Sequence, residues 1–184
     1  IHSIDWKGAP TDFAQRGMLM TSIWNTNPLW LASFASSATH FAADFKRTYC
    51  LSHLEEDGLV TIGSGEWDDY SVSSTLYFSF HKAGGLVVRS KGHKRYYGAI
   101  MDQYKNVVIY LQKDNLRKIL AQAPYKYQED VGYTVKFGAH GSKLTLDING
   151  ERILEVEDDT YTCGGAGFVI SKGTMTCDSF IVSE

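Results

Sequence analysis

The chain is poor in the residues that interrupt or staple small proteins, with three Pro and three Cys in 184 residues. Cys50, Cys163 and Cys177 are odd in number and widely spaced, which excludes a disulfide framework. Cys163 and Cys177 can meet only if they lie on neighbouring strands. The expectation is three partly buried thiols in a reducing compartment, which favours the cytoplasm over secretion. No apolar run is long enough to span a bilayer, and no charged-then-apolar leader is present, so no membrane partner is expected. An excess of positive charge is also missing. Lys and Arg number 18 against 21 Asp and Glu, a net charge of −3, so no basic surface recommends a nucleic-acid partner. The first residue is Ile rather than Met, and the sequence is expected to be an excised piece of a longer protein.

What is present is β structure. Aromatics make up 13% of the chain, a share that leans towards strands. Tyr70, Val72, Ser74, Leu76, Phe78 and Phe80 alternate with Ser71, Ser73, Thr75, Tyr77 and Ser79, which predicts a strand with two distinct faces. Gly84-Gly85 is read as a turn into LVVR, Gly92-His93 as the next reversal into YYGAIM, and Lys105-Asn106 as a turn into VVIYLQ. TVKF pairs with KLTLDI across Ala139-His140-Gly141. Asn149-Gly150, between LTLDI and ERILEV, is the strongest hairpin signal, because both residues tolerate positive φ. GFVIS and TMTCDSFIVS close the chain as two strands. Many short strands with almost no helical period indicate an all-β, antiparallel sandwich or jelly roll. Its length suits one domain over residues 1–184.

The first third reads differently. SIDWKG suits an opening strand, and Pro28 to Phe45 reads as irregular, with room for one short helix. Residues 12–45 carry no clean period and are expected to wrap the sandwich. Trp24 and Trp30, beside Pro28, would be an interface if this segment faces another domain.

Four groups of residues invite a functional reading. Arg89, Arg95, Tyr96 and Tyr97 flank the Gly92-His93 reversal. A tight hairpin there puts Arg89 opposite Tyr96 and turns Tyr97 to the other face with Val88. A loop one residue longer pairs Arg89 with Tyr97 or Arg95. In each register one arginine and one tyrosine share a face, offering a bidentate donor and a stacking ring. The alternative is a surface cation–π pair that caps a strand. Tyr110 and Gln112 on the next strand extend the same group, Gln112 as a donor–acceptor pair for a hydroxyl.

Trp67, in GEWDDY, is either a sugar-stacking aromatic beside Glu66, Asp68 and Asp69 or a tryptophan closing the edge of the core. Glu155, Glu157 and Asp159 would line one face of a strand, as paired glycosidase carboxylates do, or would simply discourage edge-to-edge pairing. A hydrolase would need Glu66 or Asp69 facing Glu157 across a cleft. Asp158, Asp159 and Asp178 have the oxygens for a structural calcium, but their spacing does not demand one. Cys50 and His53 are half a zinc site without a second half. No metal, cofactor or catalytic residue is assigned.

As a set, IHSIDWKGAP, TYCLSHLEEDGLVTIGSGEWDDYSV, AGGLVVRSKGHKRYYGAIM and INGERILEVEDD resemble a β-sandwich domain of bacterial proteins of the ADP-ribosylglycohydrolase family. That domain is in turn similar to concanavalin/laminin G-like jelly rolls that include carbohydrate-binding modules. The resemblance runs from Ile1 to Val182 and is weakest from Gly17 to Phe41. Its most specific pieces are Trp67 to Tyr70 and Arg89 to Tyr97. It implies a non-catalytic accessory module whose partners are a sugar-containing ligand and the catalytic domain of a parent glycohydrolase. The expected contacts are Arg89, Arg95, Tyr96 and Tyr97, with Trp67, Tyr110 and Gln112 behind them.

Overall fold

A computed structural model describes residues 33–43 and 48–184. Among the described residues twelve strands are formed, all paired antiparallel: β1 (Ala35–Ser36), β2 (His40–Ala43), β3 (Tyr49–His53), β4 (Gly58–Ile62), β5 (Tyr70–Ser90), β6 (Arg95–Asp102), β7 (Asn106–Lys113), β8 (Leu116–Pro124), β9 (Tyr133–His140), β10 (Lys143–Ile148), β11 (Glu151–Glu157) and β12 (Gly165–Ser183). Two long strands, β5 of 21 residues and β12 of 19, lie side by side and serve both layers of a sandwich. The front layer runs β1-β4-β12-β5-β6-β7-β8. In the back layer β2 and β3 pair the later half of β12, while β9, β10 and β11 extend from the first half of β5.

The core between the layers takes alternate residues from both: Val72, Leu76 and Phe78, then Leu86 and Val88 on β5, clustered with Phe137, Leu144, Leu146, Phe168 and Met175. The front layer is apolar on its other face as well. There Leu59, Val87, Tyr96, Ile100, Val108, Tyr110 and Val169 form a second buried cluster. The unbroken run VVIYL on β7 is the sequence mark of a strand buried on both sides.

The hairpins expected at Gly92-His93, Lys105-Asn106 and Asn149-Gly150 are present. Lys105 has φ of 62°, Asn149 of 53° and Gly150 of 83°. β9 pairs with β10 as expected, the reversal being Gly141-Ser142, with His140 opposite Lys143. Other expectations are corrected. Gly84-Gly85 is no turn, for β5 runs straight through it. Glycine is needed at 85 for close approach, since a Cβ there would lie 2.0 Å from the Ala99 carbonyl oxygen. Phe80 does not follow Phe78 into the core and is 82% exposed. β5 passes from one layer to the other here, and His81 turns inward instead, its ring 4.4 Å from that of Phe78.

GFVIS and TMTCDSFIVS are one strand, kinked where Lys172 and Gly173 have φ of 44° and 152°. β8 was not foreseen. Of the segment read as irregular, residues 35–36 and 40–43 form the short edge strands β1 and β2. SIDWKG, Trp24, Pro28 and Trp30 lie outside the described residues. Cys177 is buried, Cys50 and Cys163 are half-buried, and no disulfide joins them. Among the described residues no helix is long and apolar enough to cross a membrane.

Candidate functional site

Along the β5–β6 ladder Val88 stands opposite Tyr97, as in the tight register. The turn closes one residue wider, with the Lys91 N–H donating to the Arg95 carbonyl at 2.8 Å, and the shift between the two falls at Arg89 and Ser90. Simple alternation would then set Arg89 on the outer face beside Tyr96. It does not go there. Arg89 has φ of 50°, and this left-handed step turns its side chain away from the alternating row. The guanidinium ends 1% exposed. Its Nε donates to the Asp68 carbonyl (3.2 Å), Nη1 to the carbonyls of Gly141 (2.8 Å) and Tyr161 (3.0 Å), and Nη2 to Asp69 Oδ1 (3.1 Å). Asp69 Oδ1 also accepts from the Gly141 N–H at 2.7 Å. The Tyr70 hydroxyl receives the Arg89 N–H at 2.7 Å and lies 2.9 Å from the carbonyls of Gly164 and Gly165. A buried guanidinium is tolerable only when its donors are met in this way. Arg89 therefore ties three loops together.

Tyr97 has a similar post. It is fully buried in the inner core, donates to Asp158 Oδ1 at 2.6 Å and accepts from the Tyr161 N–H at 3.0 Å. Trp67 lies at the core edge. It is 8% exposed and stands edge-on to Tyr70 at 5.8 Å. A shallow cavity of about 100 Å³ lies beside it, lined by Glu66, Asp68 and Asp69 among others. Asp69 is held by Arg89 and Gly141, whereas Glu66, the other carboxylate considered opposite Glu157, is exposed at the cavity rim.

The other face of the front layer gathers a second constellation. On β6, Tyr96 points outward because Tyr97 points in; on β7, Tyr110 and Gln112 share that outward row. Tyr110 lies over Gly98, its register partner, where a Cβ would come within 2.3 Å of the ring. Tyr96 and Tyr110 meet edge-to-face at 5.9 Å, and both hydroxyls reach Asp57 Oδ2, at 2.7 and 3.3 Å. Asp57 precedes β4. Its other oxygen accepts from the Ser171 hydroxyl on β12, and Arg117 Nη2 completes the set at Oδ2. Arg117 comes from β8, opposite Gln112. Its guanidinium carbon sits 4.1 Å from the Tyr110 ring centre, and its Nε donates to Gln112 Oε1 at 3.1 Å. The Asp57 side chain is 12% exposed and that of Arg117 38%, so the cluster reaches solvent through the arginine.

The electrostatics follow from this geometry. Burial pushes the Asp57 carboxyl up, but the Arg117 charge and the hydrogen bonds from Ser171, Tyr96 and Arg117 outweigh it and hold the group below the usual carboxylate range. Burial first, and Asp57 second, push the Tyr96 and Tyr110 phenols up. At neutral pH the cluster is a carboxylate, a guanidinium and two un-ionised phenols. Such a set recognises hydroxyls well, with donors and acceptors side by side. It is a poor source of acid–base catalysis, since the carboxylate is stabilised in its charged form.

Arg95, at the start of β6, is exposed and pairs with Asp114 at 2.9 Å. Gln112 Nε2 donates to the Asp114 carbonyl at 2.8 Å, linking that pair to Arg117. Thus Tyr96, Tyr110 and Gln112 are brought together, with Arg95 at their margin, and Arg89, Tyr97 and Trp67 are not. Asp57, Ser171 and Arg117 are additions that the sequence did not single out. The available signal was LRKIL, where aliphatic residues interleave with basic ones as on an edge strand; Leu116 to Ile119 are all exposed. His53 Nδ1 bonds the hydroxyl of Thr39 at 3.0 Å. Among the described residues no group of three or more His, Cys, Asp or Glu side chains is placed to hold a metal ion.

The architecture defines the chain as a galectin-like, carbohydrate-binding-module-like β-sandwich. It is similar to a carbohydrate-binding module of the CBM66 type from Bacillus subtilis, at 16% identity and TM-score 0.76, over 83% of this chain and 96% of that one. It is also similar to a Bacillus subtilis protein of unknown function with a galectin-like fold, at 14% identity and TM-score 0.62, over 83% and 90%. The Caenorhabditis elegans galectin LEC-6 is a further likeness, at 16% identity and TM-score 0.57, over 68% and 91%. No protein-family profile matches the sequence, and no curated protein matches it.

Proposed function

We propose that this domain binds carbohydrate without transforming it, through the outer face of the front layer where Tyr96, Tyr110, Gln112, Asp57 and Arg117 meet. The observation that carries the reading is the stack of a solvent-reaching guanidinium on Tyr110 with Asp57 held beneath it. Arg117 and Gln112 supply directional donors for ring hydroxyls, and the tyrosine pair fixes the arginine's plane. Arg95 borders the site. Arg89, Tyr97 and Trp67 act by holding the sandwich in shape. Support also comes from the fold's likeness to a carbohydrate-binding module and a galectin, a fold-level analogy.

The finer reading is an accessory module beside a catalytic domain of the ADP-ribosylglycohydrolase family, as the sequence resemblance implies. Affinity is modest, because sugars exchange good water hydrogen bonds for protein ones. A glycan array followed by calorimetry tests the proposal. Binding to at least one glycan, lost in Arg117→Ala and kept in Arg95→Ala within a few-fold, is the expected result. Absence of binding to any glycan, or unchanged binding in Arg117→Ala, would overturn the site.

A further inference from the structure

The charges of this acidic protein are unevenly placed. Between Lys91 and Lys118 the sequence holds seven Lys and Arg against two Asp, in a chain of net charge −3. The fold concentrates them further. Lys91, Lys94 and Arg95 sit on the β5–β6 turn and the first residue of β6, while Lys113, Arg117 and Lys118 flank the β7–β8 turn; all six are exposed. The two turns are bolted together. The Asp114 N–H donates to the Lys94 carbonyl at 2.7 Å, Lys94 Nζ donates to Asn115 Oδ1 at 2.7 Å, and Arg95 pairs with Asp114. Arg117 and Arg95 have carboxylate partners, and Lys118 lies 4.0 Å from Asp158. Among the described residues Lys91, Lys94 and Lys113 have none. This cationic end adjoins the sugar-binding face through the chain Asp114–Gln112–Arg117.

We propose that the domain selects anionic carbohydrate: a neutral ring is held at the Tyr110–Arg117 face, and a carboxylate or sulfate on a neighbouring residue is held by Lys91, Lys94 and Lys113. This rests on the sugar-binding reading above and names its ligand class. Fixed turns matter here, because cations already positioned lose less freedom when an anion arrives. The attraction is between exposed charges, so it weakens as salt shortens the screening length.

The test compares matched probes. Oligogalacturonate and its methyl ester distinguish a uronate from its neutral form, dextran sulfate and dextran do the same for a sulfate, and a single-stranded oligonucleotide reports charge alone. The expected result is a preference of about three- to tenfold for at least one anionic member, the scale of a few exposed ion pairs. That preference should shrink between low and physiological salt. It should disappear in the triple variant Lys91→Gln, Lys94→Gln, Lys113→Gln, with binding of the neutral member unchanged. Equal binding of both members overturns the anion selectivity and leaves the sugar reading standing. Equal binding of the oligonucleotide overturns the carbohydrate assignment of the cationic end. Binding of no saccharide of either kind overturns both.

Discussion

Two arginine–aspartate–tyrosine constellations lie on opposite faces of the same sheet. Arg89 with Asp69 and Tyr70 is sealed at 1% side-chain exposure of the arginine, whereas Arg117 with Asp57 and Tyr110 keeps 38%. The composition is the same and the work is different. Three of the donors on Arg89 go to main-chain carbonyls of separate loops, which cannot be released without opening those loops. The partners of Arg117 are side chains that already satisfy one another, since Asp57 retains Ser171, Tyr96 and Tyr110 if the arginine leaves. Residue type thus identifies a candidate, but burial and the kind of partner decide between scaffold and site.

The comparison is broken most severely at Arg89. Arg89→Ala leaves three loop carbonyls and Asp69 without their donor in a buried space, and should cost about 3–5 kcal/mol of stability. Urea unfolding measures it. A stable Arg89→Ala protein that has lost glycan binding would reverse the two roles. Next in size is Gly98→Ala. A Cβ there would stand 2.3 Å from the Tyr110 ring, so the ring must move, at a cost of about 1–3 kcal/mol by overpacking. Displacing it also unseats Arg117, and a falling glycan affinity would accompany the falling Tm. An unchanged affinity would show that the Tyr110 stack is not part of the site.

Much of the fold was legible because strands advertise themselves locally. Asn149-Gly150 demanded positive φ at two residues in a row, and the alternation from Tyr70 to Phe78 fixed a face. The register at Gly92-His93 was also one of those the sequence allowed. What failed was extrapolation of alternation past a backbone irregularity. Phe80 leaves the row where β5 changes layers, and Arg89 leaves it through one left-handed residue. Neither event has a marker such as glycine at the residue concerned. Asp57 and Arg117 were missed for another reason. They are 60 residues apart in sequence, and only the strand order β4-β12-β5-β6-β7-β8 brings their loops to one face.

The smaller predictions sharpen the contrast from the outer side. Arg117→Ala should reduce glycan affinity about tenfold or more while lowering stability by about 1 kcal/mol or less, the scale of one partly exposed ion pair. Arg117→Lys keeps the charge but loses the planar donor set, and should restore stability more than binding. The least of the expected effects is in acid. Asp57 is held below the usual carboxylate range in the folded protein. Its contribution to stability is therefore present above the unfolded-state value and lost only as pH falls through the lower, folded one. Removing the Arg117 charge takes away a term that lowers that value, so the acid limb of unfolding in Arg117→Ala should move to higher pH. Asp57→Asn, which has no charge to lose, should show no such movement on adding Arg117→Ala. If the limb of Arg117→Ala stays where the native one lies, the carboxylate and guanidinium are not coupled, and the outer constellation loses its claim to be a single site.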